Sequence, residues 1–338
     1  MLGIDAKAGR STWTAALVLL ALWLVYVMRT TLFIFILAVL FAYLLAPLVD
    51  LLNRLLPTSR TRTPALALAY IILVGLVALA GIILGSKIVE QATQLASVFP
   101  QNFQGLVDNL QANLPDNLKG EFATRTADLF GSLPQVGLKF LSLASNLIYL
   151  VLIPVLGFFF LKDGALMRDH ILTLVETGPR QILLEEVMAD IHLLLAHYMR
   201  ALVLLSLIAF AAYSIFFSIL GVSFGILLAA LAATLEFIPM VGPLTASALI
   251  LLVAAISGTH MLPIVIFIAV FRMFQDYLVS PHLMGQGVEL HPLLVLFGVF
   301  AGAEVAGIPG TFLSVPVLAL ARILYLRVRR ARLAHAGT

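Results

Sequence analysis

The chain contains no cysteine in its 338 residues. A disulfide framework, a thiol nucleophile and a thiolate metal site are therefore excluded. Charge is scarce as well. Acidic and basic residues make up 11% of the sequence, against about 25% in soluble globular domains. The net charge of +3, from 20 basic and 17 acidic residues, is too small for a disordered or nucleic-acid-binding chain. No HExxH pair of a metalloprotease occurs, and no glycine-rich GxxxxGK loop stands ready for ATP. Gly85-Ser86 and Leu313-Ser314 lack the context of an intramembrane serine protease, and Glu185-Glu186 lacks the following Arg of a prenyl protease. Neither an enzyme nor a primary pump is expected. What is abundant is apolar: 62% of residues are hydrophobic and the mean hydropathy is +1.09. The composition is that of an all-α polytopic membrane protein.

A helix needs about 20 apolar residues to cross ~30 Å of hydrocarbon. Between Arg10 and Asp50 the only ionised residue is Arg29, and that stretch is too long for one crossing at ~1.5 Å per residue. Two helices joined by a short turn at Arg29 are expected. Lys7 and Arg10 ahead of the apolar run Ala15–Val27 have the look of a signal peptide, but no small-x-small cleavage site follows, so an uncleaved first helix is the expectation. Residues 63–86 and 140–161 supply one span each. From Ala201 to Ala321 the charged residues are Glu236, Arg272, Asp276, Glu289 and Glu304 alone. Units near 201–220, 222–257, 261–279 and 290–325 bring the total to about eight. Two of them, 222–257 and 290–325, exceed a simple crossing and are expected to be broken by Pro and Gly or to re-enter.

The expected organisation is then three transmembrane helices in 1–86, an extracytoplasmic amphipathic segment 87–139, a fourth span 140–161, and a cytoplasmic helical segment 162–200. A C-terminal membrane core 201–325 and a basic cytoplasmic tail 326–338 complete it. Arg54, Arg60 and Arg62 cluster without an acid, as do Arg322, Arg327, Arg329, Arg330 and Arg332. By the positive-inside rule both clusters, and both termini, belong in the cytoplasm. In 87–139, Val107, Leu110 and Leu114 recur at helical spacing, and Pro100, Pro115 and Pro134 divide the region into short helices. Glu185, Glu186, Asp190, His192 and His197 resemble a metal group. The His pair is spaced i,i+5, however, which is wrong for one helix face, and a solvated cytoplasmic helix is the expectation. No metal or cofactor is expected beyond Na⁺ or H⁺ as a coupling ion.

Glu236 is the only acidic or basic side chain between Arg200 and His260, and it precedes Pro239, Gly242 and Pro243. A continued helix through these prolines would free the carbonyls of Leu235 and Pro239. A carboxylate beside freed carbonyls is hard oxygen chemistry, suited to a sodium ion or a proton, and intramembrane acids mark ion and substrate paths. A Glu capping a re-entrant turn is the bland alternative. Arg272 and Asp276 stand four apart, within reach of each other on one helix face, as a structural pair or a gate. His291 precedes Pro292 at the start of the last unit, as a member of the ion path or as a helix-entry residue hydrogen-bonded to the preceding loop. Glu304 sits before Gly307, Pro309 and Gly310. The shared layout of apolar helix, Glu, Pro/Gly break and apolar helix in 222–257 and 290–325 is the sequence pointer to a transporter site. Pro281 and Gly285 add a further break between the last two units.

Four stretches carry a family resemblance: Pro154-Val-Leu-Gly-Phe-Phe-Phe-Leu-Lys-Asp-Gly164, Glu236-Phe-Ile-Pro-Met-Val-Gly-Pro243, Pro281-His-Leu-Met-Gly-Gln-Gly-Val-Glu-Leu-His-Pro292, and Gly302-Ala-Glu-Val-Ala-Gly-Ile-Pro-Gly310 leading to Val315-Pro316. In this order they resemble the autoinducer-2 exporter family, the PerM-like permeases, over essentially the whole chain. Glu289 and Glu304 depart from that family's pattern. The resemblance implies a permease or exporter of a small polar solute, proton- or sodium-linked, in the bacterial inner membrane. It equally admits a Na⁺(Li⁺)/H⁺ antiporter. A non-transporting scaffold that binds envelope proteins is the reading from another class. The partners implied are a small-molecule or monovalent-cation substrate, the lipid bilayer and further copies of the chain, with no nucleic acid.

Overall fold

The computed structural model describes residues 6–56, 62–116, 118–121, 124–126, 147–259, 261–279 and 290–336. All regular structure among them is helical. Among the described residues five helices are long and apolar enough to cross a membrane, and three shorter apolar ones accompany them. The chain is an all-α polytopic membrane protein.

Helix α1 (Ala6–Val27) runs into α2 (Arg29–Leu55) with a one-residue interruption. The break falls at Met28, where ψ opens to 5°, and helical hydrogen bonds of 2.9 Å continue on both sides of it. The turn expected at Arg29 is therefore only a kink. From Thr12 to Val27 every residue of α1 is exposed, Trp13 and Trp23 included. A helix that is apolar all round and unburied by its own chain has lipid as its solvent.

The first packed layer joins α2, α3 (Thr63–Ala80) and α5 (Leu147–Thr173). Val49, Leu45 and Ala42 of α2 meet Ala65, Leu66 and Ala69 of α3 and Leu161 of α5. At Gly157 a Cβ would lie 2.8 Å from the Phe41 ring, so α5 approaches α2 as closely as only glycine permits. The Tyr70 hydroxyl donates to the Pro154 carbonyl at 2.8 Å and ties α3 to the same turn of α5.

Two expected boundaries are absent. A π-turn, Gly81–Gly85, carries α3 directly into α4 (Ser86–Ala112), so the third span and the first half of the polar segment form one rod. Pro100 lies inside α4 and does not divide it. The proline stands on an exposed stretch of helix, so the carbonyl it frees is open to solvent. The helix ends ahead of Pro115, and Pro134 falls outside the described residues. Similarly, α6 (Pro179–Leu220) is continuous through residue 200, and α5 runs on to Thr173. The segment 162–200 is thus the polar ends of two membrane helices, clipped together by Arg168 Nη2 to Glu185 Oε1 at 2.5 Å. Polar residues change what solvates a helix without ending it.

Both over-long units turn out to be helical hairpins. The first comprises α7 (Gly225–Leu235) and α8 (Val241–Ile256), with its tip at residues 236–240. Helix α7 runs antiparallel to α6: Gly225 packs on Phe217, and the Ser206 hydroxyl donates to the Ala233 carbonyl at 2.8 Å. Helix α9 (Met261–Phe274) follows and is extended by a second π-turn, Gln275–Val279. The second hairpin is α10 (Pro292–Ala336), which reverses at Ala306 and Gly307. Gly307 has φ +64° and ψ −144°, a backbone suited to glycine. Its arms touch backbone to backbone. A Cβ on Gly310 would sit 1.9 Å from the Gly302 carbonyl oxygen, and one on Gly298 would strike Leu318.

The two hairpins enter from opposite ends of α6. The base of the first lies by Phe217, whereas the long arm of the second ends at Arg327 beside Asp190 and Glu186. Their tips meet where Phe237 stacks at a tilt on Phe312, with ring centroids 6.2 Å apart.

Gly310→Val should destabilise the second hairpin by about 1–3 kcal/mol, the usual cost of forcing volume into a packed contact. It should lower the thermal unfolding midpoint in detergent. Gly75, whose Cβ would meet nothing within 4 Å, is the control. Gly75→Ala should leave the midpoint unchanged or raise it slightly, since helical glycine costs up to about 1 kcal/mol.

Candidate functional site

At the tip of the first hairpin the helix of α7 tightens and stops. Phe237 N–H reaches back to Thr234 O at 3.3 Å and Ile238 N–H to Leu235 O at 2.9 Å. Val241 N–H then bonds Pro239 O at 2.7 Å, and Gly242 N–H bonds Ile238 O at 2.9 Å. The carbonyls of Leu235 and Pro239, expected to be freed by the prolines, are therefore occupied. The chain solves the loss of the proline donors with tight turns rather than by leaving oxygen ligands open. Gly242 is required by closeness: a Cβ there would lie 1.8 Å from the Leu235 oxygen. Met240 takes φ +62°, an uncommon conformation for a side-chain-bearing residue, as the chain swings into α8.

This turn presents Glu236 inward. Its residue is 8% exposed, and its carboxylate is closed by two donors from α9 and the π-turn. Arg272 Nη2 donates to Glu236 Oε2 at 2.9 Å and Nη1 to Oε1 at 3.5 Å. Gln275 Nε2 donates to Glu236 Oε1 at 2.5 Å, while Gln275 Oε1 accepts from Arg272 Nη2 at 2.6 Å. The three side chains form a ring in which the glutamine amide is fixed by donating one way and accepting the other. Tyr213 of α6 stands beside the pair, edge-on to the rings of Phe267 and Phe271. Arg272 Nε is buried without a hydrogen-bond partner.

Arg272 thus pairs with Glu236, and the expected Arg272–Asp276 pair does not form. The reason is the π-turn that begins at Gln275. It puts Gln275, 1% exposed, on the buried face and leaves Asp276 exposed. The i,i+4 arithmetic assumed an α-helix that ends one residue earlier.

The other candidate residues are dispersed. Pro239, Gly242 and Pro243 build the tip just described. His291 is exposed, and its Nδ1 accepts from Leu293 N–H at 3.2 Å, so it caps the start of α10 ahead of Pro292. Glu304 is exposed near the tip of the second hairpin. Gly307 makes that reversal, Pro309 starts the return arm, and Gly310 packs on Gly302. Pro281, Gly285 and Glu289 lie outside the described residues. The acids and His192 of the α6 N-terminal half, weighed above as a metal group or a solvated face, are engaged otherwise. Glu185 binds Arg168, Glu186 and Asp190 bind Arg327, and His192 Nδ1 lies 3.0 Å from the Tyr43 hydroxyl.

Sequence reasoning missed Gln275 and Tyr213. Gln275 had a signal, an amide within an apolar run next to two charges. Tyr213 had none, because an aromatic in a membrane helix is ordinary.

Two hairpins entering from opposite ends, with a compensated charge at their meeting tips, are the architecture of a membrane transport protein. The sequence pattern of the AI-2E family transporters matches residues 14–330, and the chain belongs to that family. It is 28% identical over 184 residues to "Putative transport protein YrrI" of Bacillus subtilis, covering 54% of this chain and 52% of that protein. It therefore spans about half the length of YrrI in that match. It is 27% identical over 335 residues to a protein of Methanothermobacter thermautotrophicus named "Putative transport protein", covering 94% and 93%. With "Putative permease PerM" of Escherichia coli K12 it shares 24% identity over 236 residues, covering 68% and 65%.

Arg272→Gln leaves a buried carboxylate uncompensated and should destabilise the fold by about 3–5 kcal/mol. The double variant Arg272→Gln/Glu236→Gln should recover most of that loss, because a ring of three amides is neutral. Thermal unfolding of the native protein and these two variants reads the loss and its recovery. Equal stability of the single and double variants would show that the pair does not hold the tip.

Proposed function

We propose that the chain is a secondary transporter that moves a small polar solute, of the kind represented by the autoinducer-2 signal, out of the cell, with a proton or sodium gradient as its energy source. The observation that carries this reading is the Glu236–Arg272–Gln275 ring at the meeting point of two opposed hairpins. A buried polar ring in which both Glu236 oxygens hold donors is a centre that a solute with several hydroxyl groups can enter by exchanging hydrogen bonds. A shift of the first hairpin tip, which carries Glu236, opens it. Glu304 near the second tip and Asp276, which follows Gln275, are exposed acceptors, and His291 lies at the start of α10.

The Na⁺(Li⁺)/H⁺ antiporter reading rests on the same carboxylate and is less well supported. A guanidinium 2.9 Å from Glu236 opposes a resident cation there, since like charges at that range repel strongly in a low dielectric. A scaffold needs no buried ion pair at a helix break, and a catalytic role would need a nucleophile or metal group that the ring does not provide. The Arg54–Arg62 and Arg322–Arg332 clusters support a bacterial inner-membrane protein with both termini in the cytoplasm and α4 outside. In a single-Cys series, Asn109→Cys should label with an impermeant thiol reagent on intact cells, and Ala336→Cys should not.

The functional test uses purified protein in proteoliposomes loaded with radiolabelled autoinducer-2, with and without proton or sodium gradients. Glu236→Gln should lower solute movement, counterflow included, by at least about tenfold, a loss of ~1.4 kcal/mol. Unchanged rates with unchanged pH and sodium dependence would remove Glu236 from the mechanism. Sodium-driven proton movement without any solute would favour the antiporter instead.

A further inference from the structure

The second hairpin is held to α6 at two levels of very different chemistry. Near its tip the contact is apolar: Leu313 and Val315 pack on Leu195, Tyr198, Met199 and Leu202, with Leu40 of α2 closing the cluster. The polar groups there do not cross the interface. Thr311 and Ser314 donate to carbonyls of their own arm, Ile308 and Thr311 respectively. The Tyr198 hydroxyl is buried and without a partner. Aliphatic packing is non-directional, so this level fixes which faces meet far better than how far one helix has slid along the other.

At the far end of the same arm the contact is directional. Arg327 Nε and Nη2 donate to Asp190 Oδ2 and Oδ1 at 2.7 and 3.0 Å, and Nη1 donates to Glu186 Oε2 at 2.5 Å. Three of its donors engage two acids spaced i,i+4 on α6, one helical turn apart. The guanidinium fork is planar and rigid, and bidentate pairing fixes position as well as energy. Its side chain is 25% exposed, so the pair is screened less than an open surface bridge.

We propose that Arg327, through Asp190 and Glu186, sets the axial register of the second hairpin on α6 and so sets the depth at which its tip meets the first hairpin. The arm is a continuous helix from beyond the reversal to Arg327. From Phe312 to Arg327 is therefore about 22 Å of helix at ~1.5 Å per residue, with Pro316 inside it but helical backbone angles kept past it. A slip of one turn at Arg327 would move Phe312 by about 5.4 Å along the axis and separate it from Phe237, next to Glu236. Arg327 is a positioning residue: it touches nothing in the ring and acts through the rod. The inference rests on the transport reading for its purpose, but the register itself is measurable without any solute.

The absence of native cysteine makes the test direct. In a Phe237→Cys/Phe312→Cys background, a short bis-maleimide should cross-link the two tips in membranes of the full-length protein. Adding Arg327→Ala should lower the cross-linking rate by about fivefold or more, the lower range of a typical coupling free energy. Arg327→Lys, which keeps the charge and loses the fork, should fall between. The exchange Arg327→Asp/Asp190→Arg should restore much of the rate, which a nonspecific loss of folding would not do. Asp190→Asn/Glu186→Gln gives the same loss from the α6 side and covers the case in which Arg327→Ala does not fold. A cross-linking rate insensitive to both the Arg327→Ala and the Asp190→Asn/Glu186→Gln changes would overturn the proposal. Loss of transport in Glu236→Gln with intact cross-linking would leave it standing, so the two readings fail separately.

Discussion

An ionised carboxylate at membrane depth must be compensated by the protein itself, because the surrounding hydrocarbon offers nothing. Everything around Glu236 follows from that constraint. Arg272 supplies the charge, Gln275 fills the remaining acceptor capacity, and Tyr213 with Phe267 and Phe271 forms the wall. The partners of Glu236 come from two places in the chain, α9 with its π-turn and α6. Their convergence needs α7, α9 and α6 in one register, and the pair in turn resists any movement that would part them. Removing one member of such a pair costs far more than removing both, so the ring acts as a single element.

A second constraint concerns backbone. Peptide groups at membrane depth must be hydrogen bonded within the protein, so a helix can be interrupted only where a turn recaptures its ends. The two reversals satisfy this differently. Residues 236–240 wind tightly, each donor reaching two to four residues back. Ala306 and Gly307 reverse with almost no loop, and the flanking glycines let the two backbones touch. Without a hydrophobic force between helices in lipid, such close contact is what drives their association. The glycines at 298, 302 and 310 therefore carry an adhesive role that side chains have in water.

Much of this was legible in the sequence, and what was not has physical reasons. The absence of charge over long stretches fixes membrane helices, because transfer energetics depend on composition alone. Glu236 with Pro239, Gly242 and Pro243 located the first hairpin tip, and Gly307 with Pro309 the second. Whether those units cross or fold back was not legible, since both satisfy the same parity of ends. The partner of Arg272 was misread because spacing rules presuppose one helix type, and neither Gln275–Val279 nor Gly81–Gly85 announces a π-turn by its residues. Polarity at 86 and 200 marks where solvent changes, and the helices α3–α4 and α6 continue through both points.

The chemistry of the ring bears on what kind of traffic it suits. A site for a bare cation is best built from acceptors that stay negative and unshared, yet here every Glu236 oxygen already holds a donor and a fixed positive charge sits against it. A neutral solute meets no such opposition. Its hydroxyl groups can donate to Glu236 in place of Gln275 and accept from Arg272 in place of Gln275 or Glu236, keeping every group satisfied through the exchange. The buried Nε of Arg272, unpartnered in the closed ring, gives that exchange a donor not already spent. Opening the ring then costs little beyond the displacement of one amide, whereas extracting the carboxylate from the guanidinium to receive a cation costs the pair itself.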